Sequence, residues 1–456
     1  MPLNILGTIL LEGTDKVPGW DYVKKYGPLL LSAGLTKYYF GGSTNTWERD
    51  LHGKVYLVTG GTSGIGASMV RELANRGAQL VLLTSQLNED GSGGAWITDY
   101  IEDLRNDTGN QLIYAEHCDL SSLYSIRKLA TTWLDQSPPR RLDGILCLAA
   151  EAAPIGKVRE SSIDGVERQM AINYLGHFHL LTLLEPSLKV QIADRDVRIL
   201  LASCMSQSIG EVDLNDLLWD VRKYPANQPW KVYGTSKLML SMFAKEYQRR
   251  LDSFQRKDGE PNNAKINIVN PGLVRTPSMR RTLSMGSVWG LLLYLITYPF
   301  WWFFLKSGEQ GMQSFLFALS SPEFVKLHGG NYVKECSIVK KEQRSELNNK
   351  ELQSTLFDKT KEVIETLEKR SAIERNRLKK QNGEENKKKD SKNKDLSKKA
   401  QIPETDKLSL FKSAFKNQPA PALLGKLPPD QEEKKNERLR GLDKKLEQSK
   451  KLTSQK

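Results

Sequence analysis

Short, uninterrupted apolar runs alternate with longer mixed segments through the middle of the chain. VYLVTG (55–60) closes on glycines, an Ala, Arg and Glu segment follows to Arg76, and LVLLTS (80–85) supplies a second run. The texture recurs in LIYAEHCDL (112–120), LDGILCLAA (142–150), VRILLAS (197–203) and INIVNPG (266–272). Between them lie stretches of helical period: SIRKLATTWLD (125–135), INYLGHFHLLTLLEPSL (172–188) and MLSMFAKEYQRRL (239–251). Runs without polar alternation are the mark of strands buried on both faces, and helices between them imply parallel strands joined by crossovers. The expected fold class is α/β, a doubly wound parallel sheet with helices on both faces.

The ends of the chain read differently. Residues 1–50 form a leader of mixed Gly, aromatic and charged residues, expected to be irregular apart from one apolar stretch, GPLLLSAGLTKYYF (27–40). That stretch is too short and too polar to span a bilayer, and no cleavable signal precedes it. After INIVNPG comes a run of 24 residues without a charge, Thr282 to Leu305, bounded by Arg280, Arg281 and Lys306. Its Trp and Tyr content is that of a bilayer interface. SGEQGMQSFLFALSS (307–321) then reads as an amphipathic helix and GGNYVKECSIV (329–339) as a last strand. Because segments on both sides of 282–305 belong to one sheet, the run is expected to return or lie flat in one leaflet rather than cross. The expected domains are the leader 1–50, a sheet domain 51–339 containing the 282–305 anchor, and a tail 340–456, disordered or a solvated helix.

Charge supports that division. Of the formal +13, residues 340–456 carry most, with 32 Lys and Arg against 20 Asp and Glu. Positive charge invites a nucleic-acid partner, but the tail's cations are interspersed with acids and its aromatics are only Phe357, Phe411 and Phe415, so no specific nucleic-acid partner is expected. LSLFKSAFKNQPAPALLGKL (408–427) is expected to be the tail's only stretch of renewed apolar content, a weak amphipathic docking helix. Cys118, Cys147, Cys204 and Cys336 have no metal-ligand or paired spacing, so neither a zinc site nor a disulfide framework is expected and a reducing compartment fits.

Two motifs carry chemistry. TGGTSGIG (59–66) sits where the first strand meets the first helix. A dinucleotide pyrophosphate needs a turn without Cβ atoms and free N–H groups at a helix start, so Gly60, Gly64 and Gly66, with Ser63 and Ile65 between them, form its expected cradle. YGTSK puts Tyr233 and Lys237 one helical turn apart on the same face, where an ammonium is expected to lower the phenol pKa.

With NPGLVRT (270–276), these motifs resemble the short-chain dehydrogenase/reductase family over about residues 54–339. INYLGHFHLLTLL, SGEQGMQSFLFALSSPEF and GGNYVKEC are similar to its retinol-dehydrogenase-like, lipid-active branch. The resemblance implies an NAD(P)-binding Rossmann fold and a membrane- or lipid-droplet-associated oxidoreductase of fungal type. Carried over, Tyr233 is the acid/base, Lys237 holds the nicotinamide ribose, and Asn173 orders the proton relay. Asp119 borders the adenine, and Val274 and Thr276 meet the carboxamide. Ser203 is the expected carbonyl polariser, with Cys204 the alternative in RILLASC. The family's NNAG is here CLAA (147–150), so a contact that usually stiffens the sheet is missing. The end of the second strand, Thr84 to Gln86, has no carboxylate to hold a ribose 2′-hydroxyl, which favours NADP over NAD.

The expected function is NADP(H)-dependent interconversion of an alcohol and an aldehyde or ketone on an apolar, lipid-like substrate. The expected location is the cytosolic face of the endoplasmic reticulum or a lipid droplet, with a homodimer as a further expectation. A catalytically weak scaffold working through anchor and tail, and an RNA- or anionic-lipid-binding tail, are the competing readings.

Overall fold

A computed structural model describes residues 20–88, 94–192, 194–340 and 344–399. The chain opens with helix α1 (Trp20–Gly41), then builds β1 (Val55–Thr59), α2 (Gly64–Asn75), β2 (Gln79–Thr84), α3 (Ala95–Thr108), β3 (Ile113–His117), α4 (Leu123–Leu134) and β4 (Gly144–Cys147). A π-helical turn (Ala171–Leu175) leads into α5 (Gly176–Leu183), followed by β5 (Val197–Ala202), the long α6 (Pro229–Asp252) and β6 (Ala264–Asn270). Three short helices follow, α7 (Pro277–Leu283), α8 (Val288–Ile296) and α9 (Tyr298–Phe304), then α10 (Gly308–Ser320), β7 (Asn331–Lys334), β8 (Ser337–Ile338) and α11 (Lys350–Lys399).

The strands form one sheet in the order β3-β2-β1-β4-β5-β6-β7-β8, parallel throughout except for the β7/β8 pair. This is the doubly wound arrangement expected from the apolar runs. β1 is buried along its whole length and β5 at all but its last residue, which is why both lack polar alternation. One core cluster packs α4, α5 and α6 on one face of the sheet, and a second packs α2, α3 and α10 on the other. Register sets the site: Thr59 pairs with Cys147, and Cys147 with Leu201, so the turns after β1, β4 and β5 open side by side. They do so where the strand order reverses, the usual place for a ligand in such sheets.

Three expectations change. The leader is not irregular, because 22 of its residues form α1. The expected last strand is a hairpin: Glu335 and Cys336 both take φ of 50°, a left-handed pair that reverses the chain within GGNYVKECSIV. Residues 282–305 bend, as a returning or flat segment requires: the chain breaks at Met285–Ser287 and again at Thr297, where Tyr298–Pro299 begins α9. Among the described residues no helix is long and apolar enough to cross a membrane.

The third correction concerns the tail. Leu356, Phe357, Ile364 and Leu367 of α11 belong to the core cluster on the α5/α6 face, so the folded unit does not stop at Val339. Phe357 stacks on Phe243 and Tyr247 at ring separations of 5.9 and 6.4 Å, and the Arg250 guanidinium covers it at 3.9 Å. Further along, Arg127 forks onto Glu368 at 2.5 and 2.6 Å, and Arg370 donates to the Asp164 carbonyl at 2.6 Å. Compactness divides the chain at Asn376, with the rest of α11 in a second unit. The stretch 408–427 lies outside the described residues.

Candidate active site

The turn after β1 is built for close approach. Gly60 and Gly64 take φ of +68° and +56°, and a Cβ on Gly60 would lie 2.7 Å from the Ala149 backbone. A Cβ on Gly66 would lie 2.0 Å from the Gly60 carbonyl oxygen, so α2 can start against the turn only with glycine there. Ser63 is the N-cap of α2 and its side chain makes no capping bond, which leaves the first N–H groups facing the cavity.

That cavity has a volume of about 460 Å³. Gly60, Ser63, Gly64, Ile65, Gly66, Ser203, Tyr233, Lys237, Val274 and Thr276 all line it, so ten of the expected site residues come together. Asn173, Thr84 and Asp119 are not in its wall. Thr84 stands at the end of β2 with its hydroxyl accepting from the Gln86 N–H at 3.1 Å, while Asp119 accepts from the Ser121 N–H and hydroxyl at 2.9 and 2.8 Å.

Asn173 acts behind the wall. Its side chain bonds both backbone groups of Glu151, at 2.7 and 2.9 Å, and donates to the Ser236 hydroxyl at 3.1 Å. Ser236 in turn donates to the Tyr233 carbonyl at 2.7 Å, tying the π-helical turn to the Tyr–Lys helix.

Lys237 is fully buried and donates to the Ala202 carbonyl at 2.9 Å, with its Nζ 5.8 Å from the Tyr233 ring centre. Burial brings the Lys237 ammonium down to about 8. Burial also raises the Tyr233 phenol, and Cys204 adds to the rise. The shift therefore runs opposite to the expected lowering, because loss of water disfavours the phenolate. Tyr233 is held as a protonated acid, the form that can give a proton to a carbonyl oxygen.

Ser203 and Cys204, the two residues after β5, differ in their surroundings. The Ser203 hydroxyl donates to Gln207 Oε1 at 2.9 Å and lies 3.2 Å from Ser241, in a buried network that continues from Gln207 to the Tyr332 hydroxyl at 2.9 Å. Ser203 lines the cavity while its hydroxyl is tied into this network. Cys204 also lines the cavity and interacts electrostatically with both Tyr233 and Lys237.

Sequence reasoning missed His177. It is wholly buried, with Nε2 3.1 Å from the Thr59 hydroxyl and Nδ1 3.3 Å from the Asn173 carbonyl. Desolvation first, and Lys237 second, lower its pKa to about 3, so it stays neutral. Thr59 also accepts from the Ala149 N–H at 3.3 Å. Thr59 and His177 thus brace the CLAA turn that lacks the usual side-chain contact, and the HF of INYLGHF was the available signal. The far part of the cavity is apolar, with Ile172, Met205, Trp230, Leu273 and Met279 among its walls.

A glycine cradle at the switch point, a half-buried Tyr233 beside buried Lys237 and an apolar chamber define a nucleotide-dependent dehydrogenase site, and residues 54–208 match the short chain dehydrogenase family. The chain is 46% identical to a protein of Saccharomyces cerevisiae named uncharacterized oxidoreductase YNL181W, over 86% of this chain and 99% of that one. It is 31% identical to mouse polyprenol dehydrogenase over 62% of this chain and 76% of that one. With human retinol dehydrogenase 13 the figures are 29%, 66% and 83%. A solved structure, the Pseudomonas aeruginosa RhlG/NADP active-site complex, aligns with a TM-score of 0.44 and 20% identity over 62% of this chain and 95% of that one. The chain belongs to the short-chain dehydrogenase family. Within it the protein is an oxidoreductase of the alcohol–carbonyl type, similar to the retinol and polyprenol dehydrogenases.

Proposed function

We propose that the protein interconverts an alcohol and an aldehyde or ketone on an apolar, lipid-like substrate, using NADP(H), at the cytosolic face of the endoplasmic reticulum or on a lipid droplet. The observation that carries this is the apolar chamber of about 460 Å³ with Tyr233 and Lys237 at its base, adjoining helices whose apolar residues face outward. Retinol and polyprenol, named in two relatives, are long apolar alcohols of the kind such a chamber fits.

The glycines fit the cofactor, because they leave the room a pyrophosphate requires against the start of α2. A nicotinamide dinucleotide bound there supplies a hydride to the carbonyl carbon or accepts one from the alcohol carbon. Tyr233 then gives its proton to the carbonyl oxygen in reduction and takes it back in oxidation. Lys237 stabilises the phenolate so formed and, held by the Ala202 carbonyl, keeps its ammonium in place. Asn173 fixes the backbone at Glu151 and the Tyr233 helix. Cys204 stands where a polarising donor is needed, a weaker donor than a hydroxyl. Val274 and Thr276 close over the glycine turn, with the Thr276 methyl 3.3 Å from where a Gly64 Cβ would be. NADP is favoured because no acid follows β2 at Thr84, Ser85 and Gln86 to repel a 2′-phosphate.

The test is turnover of a polyprenyl or retinyl aldehyde with NADPH and NADH compared. The reading requires NADPH to be preferred by about tenfold and Thr84→Asp to reverse that preference, since a carboxylate there repels the 2′-phosphate. A parent enzyme that prefers NADH overturns the cofactor assignment. Turnover of short soluble aldehydes only overturns the lipid substrate.

A further inference from the structure

Helix α1 does not complete the core. Of its 22 residues only Gly41 is buried, and Leu29, Leu30, Leu31 and Leu35 are each more than three-fifths exposed. The same is true of α8 and α9, where Tyr294 alone is buried and Val288 and Trp289 are more than four-fifths exposed. An apolar patch of this extent marks an interaction surface.

The two patches are one. Lys37 of α1 donates to the carbonyls of Trp302 and Phe303, the latter at 3.2 Å, and its ammonium lies 4.7 Å from the Trp302 ring centre. Phe40 meets Phe304 edge to face at 5.1 Å. The base of α1 is fixed to the sheet domain, because the Ser43 N–H donates to Glu335 at 3.1 Å and the Asn45 N–H to Gln313 at 3.0 Å.

We propose that α1 and the α8–α9 pair together form a single lipid-docking surface that seats the protein on one leaflet of an anionic phospholipid membrane. This rests on the lipid-surface reading of 282–305 and extends it to a second, distant segment. Leu29, Leu30 and Leu31 are consecutive, and at about 100° per residue they face most of the way around the helix, so one partner helix covers only part of them while a fluid acyl phase covers all. The borders are cationic and aromatic: Lys25 in the second turn of α1 and Arg280 at the end of α7, with Tyr22, Tyr38 and Tyr39 on α1. Amphipathic rings and cations together are the composition of a headgroup interface. Leu273, Met279 and Thr282 carry the cavity wall into α7, which leads directly to α8, so the chamber adjoins this surface.

The test uses the full chain and flotation with vesicles of phosphatidylcholine containing about one third phosphatidylserine, beside pure phosphatidylcholine. Two variants separate the halves: L29S/L30S/L31S/L35S in α1 and L292S/L293S/L295S/I296S in α8. Turnover of a short soluble aldehyde and the thermal midpoint, both unchanged, show that each variant is folded. The proposal requires each variant to lose vesicle binding by at least about tenfold, and the parent to bind the anionic vesicles more tightly. An α1 variant that floats within about twofold of the parent, while the α8 variant does not, overturns the two-part surface and leaves the lipid-surface reading standing. A parent that ignores both vesicles but forms an oligomer dissolved by the α1 substitutions assigns the surface to protein contact, and both readings fall.

Discussion

Replacing Phe357 by alanine tests whether the folded domain reaches into α11. The ring is 5% exposed and wedged among Phe178, Phe243 and Tyr247, with the Arg250 guanidinium above it. Removing a buried phenylalanine costs about 3–5 kcal/mol, because transfer and cavity terms add. At about 2–4 °C per kcal/mol for a large domain, the thermal midpoint should fall by at least about 6 °C. Ile373 on the same helix is 71% exposed and serves as the control, its alanine variant staying within about 0.5 kcal/mol of the parent. Urea unfolding followed by Trp fluorescence reads the sheet domain, since all nine Trp precede residue 340. A Phe357→Ala loss below about 1 kcal/mol would refute the claim that α11 completes the core.

Ser203→Ala should lower stability by only about 1 kcal/mol, because Ser241 still donates to Gln207 at 3.0 Å, and change kcat little; Cys204→Ala should cut kcat by about tenfold or more with little change in stability, and stopped assays beside urea unfolding separate the two. Burial lowers Lys237 to about 8, so its charge is present below that value and lost as pH rises through it; carbonyl reduction should therefore decline above about pH 8, and a rate flat to pH 10 would oppose the Lys237 role. Gly66→Ala places a methyl 2.0 Å from the Gly60 carbonyl oxygen and should abolish dinucleotide binding by calorimetry, whereas Gly34→Ala, with nothing near its Cβ, should not.

Much of the site was readable because its chemistry is local in sequence. Gly60, Gly64 and Gly66 lie within one turn of a strand end, and Tyr233 and Lys237 within one turn of a helix. The Ser203 and Cys204 choice was not readable, since both side chains reach the cavity wall and only their partners, such as Ser241 beside Ser203, distinguish them. The extent of the domain was hidden for another reason. Leu352, Leu356, Phe357, Val363, Ile364 and Leu367 follow a helical stripe, but averaging over 117 Lys- and Glu-rich residues diluted it. In α1 the apolar residues are consecutive rather than striped, so their pattern named neither helix nor partner.

The central claim is that Tyr233 delivers a proton to a carbonyl in the chamber, and NADPH oxidation by Tyr233→Phe with a polyprenyl aldehyde tests it most directly. The variant should keep the parent's thermal midpoint and NADPH affinity while losing about 10²–10⁴-fold in kcat, the worth of a positioned general acid. Undiminished turnover by Tyr233→Phe would contradict the account.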